Sequence, residues 1–151
     1  MPNKQTHVTI GTLAGGGLAA YRAREQEPLN MLLEAIGGGI GGYIGGRLPD
    51  VIEPASWPGH RQLAHSVIAG GAVGFSVYEL LGKWEKWCRS KAELYNQRRT
   101  TEGANVLKDI LFTLLEIILR VAAGFLSGLG TSYLSHLALD WRTPAGLPIL
   151  M

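Results

Sequence analysis

The stretch Leu29-Asn30-Met31-Leu32-Leu33-Glu34-Ala35-Ile36-Gly37-Gly38-Gly39-Ile40-Gly41-Gly42-Tyr43-Ile44-Gly45-Gly46 decides the fold. Its length and its lack of strict apolar–polar alternation favour helix over strand. Pro28 stands in front of it and suits a first helical position. Leu48-Pro49 closes it, because the residue before a proline is pushed out of helical backbone. Gly37, Gly41 and Gly45 form one row, and Gly38, Gly42 and Gly46 a second. Residues four apart share one face of a helix. In water each such glycine costs roughly 1 kcal/mol relative to alanine, so packing has to offset it. Glycine on a face lets two backbones approach closely, as helices in membranes often do.

Three further apolar segments flank this one. The first runs from about His7 to Tyr21, the third from near His60 to Gly82, and the fourth from Ala104 to Leu139. Each carries glycines four apart: Gly11 and Gly15, Gly70 and Gly74, Gly124 and Gly128. Pro54 and Pro58 keep the connection Leu48–Gly59 irregular, and Thr143-Pro144-Ala145-Gly146 stops the last segment. The expectation is one all-α domain over residues 1–151, a glycine-rich, up-and-down four-helix bundle without a sheet.

Composition points to a membrane. Hydrophobic residues make up 46% of the chain and charged residues 17%, below the roughly 25% charged share usual in soluble domains. The stretch after Lys4 leads into Arg22-Ala23-Arg24-Glu25 instead of a signal-peptide cleavage site. Membrane contact would therefore come through the chain's own helices, with lipid as a partner. Glu34, Glu79, Glu116 and Arg120 interrupt the apolar runs. Either they face the bundle interior or the chain sits only partly in the bilayer. A soluble, glycine-tolerant bundle is the competing reading. A net charge of +2 does not call for nucleic acid, and the single cysteine, Cys88, excludes an internal disulfide.

Residues 83–101 differ from the rest. Lys83, Lys86, Arg89, Lys91, Arg98 and Arg99 outnumber Glu85 and Glu93, with Trp84 and Trp87 among them. Tryptophan beside basic residues fits a membrane interface; a solvated connection or helix extension fits equally. The basic residues also suggest an orientation. Arg22, Arg24 and this stretch lie at one end of an up-and-down bundle, against Lys4, Arg47, Arg61 and Arg142 at the other. Cytoplasmic flanks are the basic ones, so the 83–101 end is expected in the cytoplasm.

The candidate chemistry lies at the opposite end. His136 and Asp140 are one helical turn apart. With alternating helices, His7 opens the first, Asp50 follows the second, His60 and His65 open the third, and His136 and Asp140 end the fourth. All 4 histidines of the chain then fall at one end. Imidazoles with carboxylates suit zinc or another first-row divalent metal. Taken singly, each of these residues has an ordinary structural reading.

The motifs Thr6-His7, Leu48-Pro49-Asp50-Val51-Ile52-Glu53-Pro54, Gly59-His60-Arg61-Gln62-Leu63-Ala64-His65-Ser66 and Ser132-Tyr133-Leu134-Ser135-His136-Leu137-Ala138-Leu139-Asp140-Trp141-Arg142-Thr143-Pro144 follow one another along the chain. In this they resemble the YdjM-like family, described as inner-membrane-associated, LexA-binding, metal-dependent hydrolases. The family's first motif has aspartate where this chain has Ile52 and histidine where it has Glu53, and its second has threonine in place of Ala64. The resemblance implies a bacterial inner-membrane protein with a divalent metal, in first place zinc, held by His7, Asp50, His60, His65, His136 and Asp140. Hydrolysis would use a metal-bound water. Asp50 and Glu53 are the catalytic candidates, with Glu53 as ligand or general base. Arg61 and Arg142 would hold an anionic group such as a phosphoester. A LexA contact is suggested by the family description alone. The alternative is a non-catalytic assembly protein whose glycine rows drive self-association into a homo-oligomer.

Overall fold

The computed structural model describes residues 4–48, 51, 69–101 and 105–141, with the backbone alone for residues 4, 69–74 and 137–141. Four helices account for nearly all of them: α1 Lys4–Arg22, α2 Pro28–Gly45, α3 Ala69–Thr101 and α4 Val106–Trp141. No strand occurs among the described residues, and the all-α bundle is as expected. Pro28 takes its place in the first turn of α2. That helix closes at Gly45, just short of Leu48-Pro49. The fourth helix starts at Val106 rather than Ala104, because the Asn105 side chain accepts hydrogen bonds from the backbone N–H groups of Leu107 and Lys108 and so caps it. Residues 83–101 are helical and continue α3 without a break, which settles their form as a helix extension. The Leu48–Gly59 connection lies largely outside the described residues.

The α4 helix is the hub. It packs against α1, α2 and α3, and α1 also packs against α2. Among the described residues, α3 packs its backbone against α4 alone. The lengths differ: α1 and α2 have 19 and 18 residues, α3 and α4 have 33 and 36. At 1.5 Å per residue the first pair reaches about 28 Å and the second about 50–54 Å. Arg120 of α4 meets Gln26 in the α1–α2 turn. The part of α4 before it therefore extends past that turn, paired with the end of α3 through Tyr95–Phe112 and Arg99–Thr113.

The glycine rows explain the tight half of the bundle. A Cβ on Gly37 would fall on the Val121 carbonyl of α4, and one on Gly41 on the Phe125 carbonyl. In the second row, a Cβ on Gly38 would sit 2.5 Å from the Gly15 oxygen of α1, and one on Gly42 would strike the Gly11 oxygen. One row thus faces α4 and the other α1. Both are used within the chain, so the expectation that they drive self-association meets a face already covered.

What is buried is small or polar, and what is exposed is large and apolar. Among the described residues the buried apolar side chains are Ala19, Ala23, Cys88, Ala92 and Ala123, while Glu34, Glu116, Arg120, Ser132 and His136 are buried among them. Leu29, Leu32, Ile36 and Ile40 form an outward row on α2, and Leu107, Ile110, Leu111, Leu114 and Ile118 one on α4. Water-soluble domains seldom expose such continuous patches. Val106–His136 is long and apolar enough to cross a membrane, its most apolar stretch of 18 residues having a mean hydropathy of 2.0.

Candidate functional site

At the tight end a hydroxyl and two imidazoles lie between closely packed backbones. Ser132, fully buried, donates its hydroxyl to the Gly42 carbonyl at 2.6 Å. One turn further along α4, the His136 ring is 1% exposed and its Nδ1 lies 2.8 Å from the Gly46 carbonyl. A carbonyl can only accept, so Nδ1 carries the proton, and in the neutral ring Nε2 is the lone-pair nitrogen. The His7 ring, also buried, stacks on His136 with centroids 3.9 Å apart and 19° between planes. Residues 129 positions apart by number (136 − 7) thus share one layer at the end predicted for them.

The other predicted site residues fare differently. Asp50, Glu53, His60, Arg61, His65 and Arg142 lie outside the described residues. Asp140 is on the α4 backbone one turn beyond His136, and its side chain is likewise outside. Among the described residues no three of His, Cys, Asp and Glu lie close enough to hold one metal. The donor chemistry that is described suits a metal: a carbonyl-anchored imidazole offering Nε2 is the usual form of a histidine ligand.

A second polar layer lies at the opposite end, around the α1–α2 turn. Glu34 is fully buried. Its Oε2 accepts from Arg89 Nε at 2.8 Å and Nη2 at 2.6 Å, and its Oε1 accepts from Gln26 Nε2 at 3.0 Å. Glu85, 2% exposed, receives Arg22 at 2.6 Å and Arg89 at 2.9 Å. Arg22 also donates to the Tyr78 hydroxyl, and Arg120 reaches Gln26, Glu93 and Glu116. Burial pushes the Glu85 carboxyl above its ordinary value of 4.5, against the pull of the Arg89 and Arg22 guanidiniums. These side chains span the gap between α3 and the α1–α2 pair. Of the charges that interrupt apolar runs, Glu34, Glu116 and Arg120 do face inward, whereas Glu79 is exposed.

Sequence reasoning missed Arg22, Glu85 and Arg89 as interior groups and placed them in a basic flank. Two signals were available: Glu85 and Arg89 are an i,i+4 pair of opposite charge, and Tyr78 lies two turns before Glu85 on the same face. Cys88 is buried beside them. Burial first, then Glu34 and Glu85, push its thiol upward, so it is a poor labelling site.

A family model described as YdjM inner membrane protein matches residues 1–151, the whole chain. No curated protein and no solved structure matches it.

Proposed function

The chain belongs to the YdjM inner membrane protein family, and from that premise we propose that it is a metal-dependent hydrolase of the inner membrane, with its site at the His7–His136 end of the bundle. The observation that carries this reading is the buried His7–His136 stack with the Gly46 carbonyl on Nδ1 of His136. That carbonyl holds the ring in one tautomer and one orientation, the task of an outer partner to a metal-ligating histidine. His65, Asp50 and Asp140 are the further ligands in this reading, with His60 in reserve. A divalent metal bound there would lower the pKa of a water and polarise the scissile group. Glu53 would take a proton from that water, and Arg61 and Arg142 would orient an anionic substrate, a phosphoester by preference.

Metal analysis of the detergent-purified full chain tests the reading. About one equivalent of divalent metal per chain is expected, with most of it lost in His136→Ala, since removing a ligand removes a coordination bond. Bis(p-nitrophenyl) phosphate serves as the activity probe. A wild-type chain that takes up no metal after incubation with zinc or manganese defeats the proposal.

A further inference from the structure

The wide end of the bundle holds an open cavity of about 510 Å³ where α3 stands off from the end of α1. Arg22, Arg24, Lys83, Lys86 and Arg89 line it, against Glu79 and Glu85. Glu85 is occupied by Arg22 and Arg89, and Arg89 is turned toward Glu34 as well. Lys83 and Lys86 make no ion pair among the described residues, and both are exposed. Arg24 pairs with Glu25 at 3.2 Å, so the cavity has a neutralised floor and a rim whose surplus positive charge rests on Lys83 and Lys86. Its volume falls in the range of small-ligand sites, roughly 300–1,000 Å³.

Directly beside it lies a second, shallower depression of about 330 Å³, lined by Lys83, Trp84 and Trp87. The two indoles meet edge to face with centroids 6.0 Å apart, and both are about half exposed, at 54% and 49%. Lys83 belongs to both depressions, so a cationic cavity and an aromatic one share a wall. Both stand level with the α1–α2 turn. Tryptophan beside lysine is a pairing that membrane–water boundaries favour.

The geometry points to a binding site for one anionic phospholipid: its phosphate headgroup enters the Arg24–Lys83–Lys86 cavity and its glycerol and upper acyl chain lie along Trp84 and Trp87. The charge selects an anion, and the adjoining indoles select an amphiphile over a free phosphate. The site is at the opposite end from the histidines and does not depend on the hydrolase reading.

The test uses the full chain in a neutral detergent, titrated with dioctanoyl phosphatidylglycerol, dioctanoyl phosphatidylcholine and glycerol 3-phosphate, with binding read by native mass spectrometry. Phosphatidylglycerol is expected to bind at least tenfold more tightly than phosphatidylcholine. Lys83→Gln with Lys86→Gln should weaken it by about thirtyfold, since each basic residue near an anionic surface contributes about 1 kcal/mol. Phosphatidylcholine binding should not change. Trp84→Ala with Trp87→Ala should weaken the lipid but not glycerol 3-phosphate. All four positions are exposed, and unchanged helicity by circular dichroism confirms that the variants fold. Equal binding of the two lipids, or lysine variants that bind like wild type, overturns the proposal. Glycerol 3-phosphate binding as tightly as phosphatidylglycerol overturns it too, in favour of a soluble phosphate ester.

Discussion

Glu34→Ala removes the acceptor on which the wide end of the bundle converges. In the native chain its carboxylate is fully buried and takes Arg89 through two nitrogens on Oε2, with Gln26 on Oε1 and Arg120 Nη1 at 3.7 Å. Arg89 retains Glu85 when Glu34 is gone, and Arg120 retains Glu93 and Glu116 at 3.3 and 3.9 Å. Arg89 then has to share Glu85 with Arg22, and its largely buried guanidinium has lost its two-nitrogen partner. Removing one partner of a buried pair costs about 3–5 kcal/mol, because the other charge stays desolvated. At roughly 2–4 °C per kcal/mol for a chain of this size, Tm should fall by roughly 6–20 °C. Glu93 makes the contrast: its side chain is 52% exposed, and an exposed pair contributes about 1 kcal/mol or less. The assay is thermal unfolding of the detergent-solubilised chain, followed by circular dichroism, for wild type, Glu34→Ala, Glu93→Ala and Glu34→Ala with Arg89→Met. The double variant should recover part of the loss, since it removes both charges. A Glu34→Ala variant no less stable than Glu93→Ala would refute the reasoning.

Other predictions follow from the same geometry. Glu85→Gln should cost little at pH 7. The folded-state value of Glu85 is raised, so its carboxyl's contribution is full below the unfolded value and is lost as pH rises through the folded one; wild type should gain on the variant as pH falls through that window, and a constant difference would contradict this. Gly41→Leu should abolish folding or lower Tm sharply, because its Cβ would fall on the Phe125 carbonyl, whereas Gly17→Ala, with open space around it, should be neutral or slightly stabilising. Asn105→Ala should cost about 1 kcal/mol through loss of the α4 cap, measured as a Tm shift. For orientation, Cys88→Ala carrying Ser90→Cys should resist an impermeant maleimide in intact bacterial cells, while the same background carrying Gln5→Cys should react; both host positions are exposed, and the reverse pattern would invert the topology.

The parts of the fold written in local spacing were legible. Glycines four apart announce close helix contacts, and the structure uses both rows of α2, each against a different neighbour. Pro28 marks a helix start wherever it occurs, because its ring presets the backbone. Helix alternation was enough to bring His7 and His136 to one end, since that needs only the direction of each segment. Which side of α3 turns inward was not legible. Arg89 reads as one more cation in a basic stretch, and only the rotation of α3 about its axis decides that it meets Glu34, 55 positions away. A charge interrupting an apolar run signals an interior role, as for Glu34 and Arg120, but the signal failed for Glu79, whose position on α3 puts it at the surface. Asp50 and Glu53 fall in the proline-containing Leu48–Gly59 stretch, whose sequence has no periodicity to read.

The two ends of the bundle are stabilised by opposite means. From Gly37 to Gly45 its inward positions are glycine, so α1 and α4 close onto its backbone and the interior has room for a hydroxyl or a stacked pair of imidazoles. At Glu34 and Asn30 the inward positions become large and polar. The α2 backbone still meets α4 there, since a Cβ on Gly124 would fall on the Glu34 carbonyl, whereas among the described residues α3 packs its backbone against neither α1 nor α2. Long arginine side chains span the resulting gap, which explains why Arg22, Arg89 and Arg120 are needed at that level. A gap bridged by side chains rather than filled by backbone leaves a cavity at its edge. The glycine rows therefore set where the histidine layer forms, and the arginines that bridge α3 to the α1–α2 pair set where the basic cavity lies.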